Sequence, residues 1–167
     1  MTIANIIKFK QIKDKLKLDL KSKNDFESRF FIQKTFYFLC KLGIDLDIKF
    51  NFYAYGPYSQ DLTDFLLTVQ KFPVKELENL SNYELTNEEE TILQKVKSIL
   101  KNWGGDLRKL ELYASVLYIL KDMYIKDRNM EKVKETLKKL KPDLFEDKKF
   151  QQAIEDLLNE GLIDNVR

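Results

Sequence analysis

The sequence contains no histidine, one cysteine, three prolines and five glycines among 167 residues. Without histidine, and with Cys40 as the single thiol, His-based triads and the usual zinc ligand sets are absent. A lone cysteine excludes an internal disulfide and fits a reducing compartment. Scarce glycine and proline leave little material for disordered linkers. No charge sign dominates: 29 Lys and Arg against 27 Asp and Glu give a net charge of +2. The chain is therefore not coated for nonspecific nucleic-acid binding, although a local patch can survive inside that balance. No run approaches the roughly 18 apolar residues that cross a membrane, and the lysines threaded through 1–20 do not suit a signal peptide. The expectation is a cytoplasmic protein that uses no membrane.

Catalytic signatures are missing as well. Gly104-Gly105 has no P-loop lysine-serine partner. Glu88, Glu89 and Glu90 sit where a helix first turn favours acids, so they need no metal to explain them. Cys40 lies in an apolar run with no histidine to activate it and reads as a small core residue. The sequence points to a protein that is not an enzyme, with no cofactor and no metal.

What is present suits one globular domain. The hydrophobic fraction is 44%, the charged fraction 34% and the aromatic fraction 13%. Ile3, Ile6, Ile7, Phe9, Ile12 and Leu16 recur at helical spacing, with Lys8, Lys10, Lys13, Lys15 and Lys17 between them. Such a basic amphipathic helix suits an acidic partner, a phosphate backbone or a membrane surface, or a packed helix with a solvated lysine face. A second helix is expected from Asp25 to Leu42, ended by Gly43 and opened by an Asn24/Glu27 capping pair. It is apolar on nearly every face and should be the buried central helix. Leu46, Ile48, Phe50 and Phe52 alternate with polar residues, which predicts a strand, and Tyr83–Leu85 is the expected partner. Thr86 with Glu89, Asp106 and Asn129 mark three further helix starts.

The stretch Tyr53-Ala54-Tyr55-Gly56-Pro57-Tyr58-Ser59 punctuates this pattern. Gly56 tolerates unusual backbone angles, Pro57 fixes its own φ, and Ser59 stands at an N-cap. Tyr53, Tyr55 and Tyr58 make the turn adhesive, so residues 53 and 55–59 are the expected partner-binding surface. The last two helices, with Lys141-Pro142 between them, read as a helix-turn-helix with an extended tail at Leu162-Ile163. Lys148, Lys149, Gln151 and Gln152 would meet duplex DNA from the second of them. Glu146, Asp147, Glu155 and Asp156 flank these side chains and oppose phosphate.

Residues 28–39 and 53–62, with Leu110-Glu111-Leu112-Tyr113-Ala114-Ser115, Leu140-Lys141-Pro142 and Glu160-Gly161-Leu162-Ile163, resemble the YwgA-like family of prokaryotic proteins. A more distant likeness, through Gln33-Lys34 and Gly56-Pro57, is to the Panacea (SocA-like) antitoxin domain. Here Tyr58-Ser59 replaces that domain's valine-led continuation. The resemblance implies a mostly helical regulatory or interaction protein, antitoxin-like in role, without established chemistry. It also draws attention to Arg29, Gln33 and Lys34. Polar groups in an otherwise apolar helix need partners, and the carbonyls of the Gly-Pro loop are natural acceptors, so these three residues are expected to fasten the loop.

The expected fold is mainly α with minor β: one domain over 1–167, with a short β-hairpin or strand pair and a C-terminal helix-turn-helix or winged-helix-like unit at 130–167. Any subdivision would fall near 123–129. The expected function is non-catalytic binding of a protein partner through the Tyr53–Ser59 region. The alternative is a DNA-binding regulator, and homo-oligomerisation stays open.

Overall fold

The computed structural model describes residues 2–20, 25–73, 75–76, 79 and 83–164. The fold is mainly helical with one small antiparallel sheet. Helices α1 (Ile3–Lys15) and α2 (Phe26–Leu42) come first. The hairpin β1 (Asn51–Tyr53) and β2 (Gly56–Tyr58) leads into α3 (Gln60–Lys71). Then follow α4 (Asn87–Trp103), α5 (Leu107–Lys121), α6 (Met130–Leu140) and α7 (Asp147–Asn159).

The helix starts are written in side-chain chemistry. Ser59 Oγ accepts from Leu62 N, Asp106 from Arg108 N and Lys109 N, and Asn129 from Lys132 N. Thr86 and Glu89 form the full capping box. At α2 the cap is Asp25, which accepts from Ser28 N; the anticipated Asn24 lies outside the described residues.

As expected, α2 is central. One of its faces joins Phe9, Ile12, Phe36, Leu39, Phe65, Leu93 and Val96. The other joins Tyr37, Phe38, Trp103, Tyr113, Leu117, Leu137 and Leu157. Thus α1, α3 and α4 pack on one side, and α5 with α6 and α7 on the other.

Three expectations are corrected. The alternating run around Leu46–Phe52 does not form a ladder until Asn51. Leu46 is buried and Asp47 and Lys49 are exposed, so the alternation records an extended segment lying on the core. Extended backbone gives period two with or without a paired neighbour. The partner of β1 is not Tyr83–Leu85, which is no strand, but the Gly-Pro stretch itself: Asn51 faces Tyr58, Phe52 faces Pro57 and Tyr53 faces Gly56. Finally, Leu162 and Ile163 are not an extended tail. Gly161 turns with φ +69°, Leu162 N donates to Leu157 O at 2.9 Å, and both side chains enter the core. No strand follows α7 among the described residues, so α6 and α7 form a helix-turn-helix-like pair without a wing.

The lysines of α1 are answered within the chain. Lys8 pairs with Glu89 at 2.7 Å, and Lys15 pairs with Glu90, both acids in the first turn of α4. Lys10 meets Asp14 at 2.7 Å and Lys13 meets Asp19 at 2.9 Å. Pairs near the surface contribute about 0–1 kcal/mol each, whereas burying Ile7, Phe9 and Ile12 contributes about 1.5–3 kcal/mol each. Apolar burial therefore holds α1 in place, and the ion pairs set its direction.

Candidate functional site

The second strand of the hairpin is unusual in holding a proline. The turn is Ala54-Tyr55, so Tyr53–Gly56 is the closing hydrogen-bonded pair. The next pair, Phe52–Pro57, is of the kind whose N–H and C=O groups point away from the partner strand. The donor that proline lacks is not missed by the ladder. Its carbonyl is turned outward and accepts from Lys34 Nζ at 2.7 Å.

Gln33 grips both backbone groups of Ser59. Its Nε2 donates to Ser59 O at 2.8 Å, and Ser59 N donates to its Oε1 at 2.9 Å. The amide thus pairs with the backbone as another strand would. Gln33 Nε2 also reaches Thr63 Oγ1 at 3.2 Å, and Thr63 shares a 2.7 Å hydrogen bond with Tyr58. Gln33 and Lys34 do fasten the loop. Arg29 does not: it is exposed and makes no hydrogen bond to the loop among the described residues. Its side chain lies at the rim of the groove, on the helical row beside that of Lys34.

Beneath the hairpin lies a buried polar group that the sequence reading missed. Glu111 of α5 is 2% exposed and holds Lys141 Nζ at 2.5 Å. Lys141 also donates to Ala54 O. Ser115, one turn after Glu111, is buried with no hydrogen-bond partner for its Oγ among the described residues. A Cβ on Gly56 would stand 2.7 Å from that Oγ, so hairpin and α5 are in close contact. The available signal was Glu111 and Ser115, four apart in a helix otherwise apolar over Leu110–Leu117.

Lys34 is 2% exposed. Burial lowers its pKa from the ordinary lysine value to about 7; Glu111 opposes the fall and Lys141 adds to it. Burial also pushes the Cys40 thiol up to about 12, which leaves it inert at neutral pH.

Above this floor is an aromatic groove of about 340 Å³ between α2, the hairpin and α3. Phe26, Phe30 and Lys34 form one row along α2, and Arg29 and Gln33 the next. Tyr55 closes the opposite side, with its ring 5.2 Å from Phe26 and 6.1 Å from Phe30. Lys34 Nζ lies 4.8 Å from the Phe30 ring centroid, and Lys141 Nζ lies 5.8 Å from that of Tyr55. Tyr53 stacks edge-on with Tyr58 at 5.5 Å. Phe26, Tyr53 and Tyr55 are each at least half exposed, at 50%, 55% and 52%. Of the expected partner-binding residues, Tyr53, Tyr55, Gly56 and Tyr58 line the groove. Pro57 and Ser59 are buried and serve as its attachment points.

The four residues proposed for DNA are all exposed at the start of α7. Two already serve carboxylates: Lys149 Nζ donates to Glu146 at 2.7 Å, and Gln152 Nε2 to Asp156 at 2.9 Å. Helix α7 packs in one core cluster and α1 in the other, with α2 contributing to both. Among the described residues, no group of three or more acids or cysteines is placed to hold a metal, and no helix is long and apolar enough to cross a membrane.

Comparison with known protein families, curated proteins and solved structures finds no match to this chain.

The Gln33 grip has a measurable worth. In Gln33→Ala the buried Ser59 N–H loses its partner, while Ser59 O still accepts from Thr63 N and Thr63 Oγ1 at 3.4 Å. An orphaned buried group costs about 1–3 kcal/mol, which is the expected loss in urea unfolding, with amide shifts concentrated at Tyr58–Thr63. Unchanged stability together with an unmoved loop would refute the role.

Proposed function

We propose that this protein is a non-catalytic interaction module that docks a partner protein at the hairpin groove. One observation carries the reading. Phe26, Tyr53 and Tyr55 are large aromatic side chains left half open to solvent around a cavity whose walls are fixed from beneath. Exposed aromatic rims around a preformed apolar cavity are the usual anatomy of a binding hot spot. The rigidity supports the reading too. Gln33, Lys34 and Lys141 tie the backbone at Ser59, Pro57 and Ala54, so little ordering entropy is lost on docking. The YwgA-like and antitoxin-like resemblances point the same way, to a regulatory or antitoxin-like role.

The reading is tested by panning a displayed peptide library on the intact protein, with counter-selection on Tyr55→Ser and Phe26→Ser. Both positions are exposed, so the variants keep the fold. Sequences that share an apolar anchor and bind at least tenfold more weakly to either variant are the expected result. Recovery only of sequences indifferent to both changes would overturn it.

Duplex binding by α6 and α7 is the second reading. Its support is the exposure of Lys148, Lys149, Gln151 and Gln152 on one helix start. The paired state of Lys149 and Gln152 places it second. A duplex titration separates the two, because phosphate contacts give an affinity that falls with salt. The expected result is weak binding at low salt, unaltered in Lys148→Glu; salt-dependent binding lost in that variant would reverse the order.

A further inference from the structure

The ionisable side chains that line the groove include Arg29 and Lys34, both basic, with no carboxylate among the lining residues. The basic group at the floor is only partly answered. A lysine ammonium has three donors, and the described hydrogen bond of Lys34 is the one to Pro57 O. The nearest acid beneath it, Glu111, is held by Lys141. Arg29 is exposed at the rim, with no hydrogen bond or ion pair among the described residues. A guanidinium so placed presents a planar fork that matches a carboxylate.

Size narrows the occupant. About 340 Å³ holds one large side chain with its own backbone and little more. The floor is closed by Lys34, Gly56 and the α5 residues under it. A chain that passed through would need room to leave, whereas a chain end only enters. In a C-terminal residue the carboxylate and the apolar side chain branch from one Cα, so a single residue meets both the cations and the rings.

We infer that the groove receives the C-terminus of a partner chain, its last side chain apolar among Phe26, Phe30 and Tyr55 and its α-carboxylate held by Arg29 and Lys34. This rests on the docking proposal above and names the chemistry of what docks. It has a consequence in protons. The groups facing Lys34 are Glu111 and Ser115 of α5, Lys141 after α6, the Pro57 carbonyl of β2 and Phe30 of its own helix. Among these, burial and Lys141 favour the neutral amine near pH 8. An arriving carboxylate favours the ammonium, so binding at pH 8 takes up a proton.

The probes are three acetylated pentapeptides: one ending in phenylalanine with a free carboxylate, the same peptide as its C-terminal amide, and an amide with aspartate after an internal phenylalanine. Each is titrated into the intact protein by NMR, and the acid by calorimetry in two buffers of different ionisation heat at pH 8. The expected result is binding of the free acid at least tenfold tighter than the amide, with shifts at Phe30, Tyr55 and Gly56. Arg29→Gln, which alters an exposed side chain, should remove most of that preference, and the two buffers should report net proton uptake. Equal affinity for acid and amide would overturn the carboxylate while leaving the apolar groove standing. Equal binding of the internal aspartate peptide would overturn the chain end as its source. Absence of binding by all three at millimolar concentration would overturn this inference; library clones dependent on Tyr55 would still uphold the docking site.

Discussion

Replacing Glu111 with alanine is expected to cost about 3–5 kcal/mol of unfolding free energy, as much as deleting a large core side chain. The carboxylate is 2% exposed and stands 2.5 Å from Lys141 Nζ, itself buried. Its removal takes from Lys141 its described counter-ion and from Lys34 the acid that offsets the effect of Lys141. A pair already taken out of water loses far more when broken than it gains by existing. The control follows from the same asymmetry. Glu111→Leu combined with Lys141→Met removes both charges, and the double variant should recover at least half of the loss. Urea unfolding measures both. A single variant within about 1 kcal/mol of the parent would mean that water reaches this site.

Gly56→Ala is expected to cost about 2–4 kcal/mol, in two separable parts. Gly56 has φ +80°, a left-handed backbone that a side chain resists by about 1–2 kcal/mol. The new Cβ would also meet Ser115 Oγ at 2.7 Å, well inside contact distance. Once that hydroxyl is gone, the nearest atoms are Glu111 O at 3.7 Å and Lys34 Nζ at 3.8 Å, ordinary contacts. Ser115→Ala alone should cost little, because its hydroxyl has no hydrogen bond among the described residues. The pair should therefore show a favourable coupling of about 1 kcal/mol or more in a double-mutant cycle. Zero coupling would mean that the hairpin lifts away from α5 instead of colliding with it, and the groove would then be softer than its hydrogen bonds suggest.

Helix boundaries were legible because their signals are local. Thr86 with Glu89, Asp106, Asn129 and Ser59 each announce a start within one turn. The roles of Gln33 and Lys34 were legible for a different reason: two polar residues inside an apolar helix had to find acceptors. Arg29 carried the same signal but lies toward the exposed end of α2, and spacing alone does not give distance from the core. Strand pairing was the main loss. Alternation at Leu46–Phe52 was real, yet it marks burial and not ladder partners, and a proline is a poor advertisement for a strand. The floor of the site was hidden because Glu111, Ser115 and Lys141 come from elements far along the chain. Each looked ordinary in its own neighbourhood.

That distance has a consequence for the chain as it is made. The aromatic rim and the grip of Gln33 on Ser59 are complete by residue 66, but Lys141 reaches Ala54 from 87 residues downstream. During synthesis the hairpin emerges long before the residue that ties down its tip. A nascent or truncated chain carries every ring of the groove without its finished shape. The tip of the hairpin thus gains its tie to Lys141 only after α6 has been made.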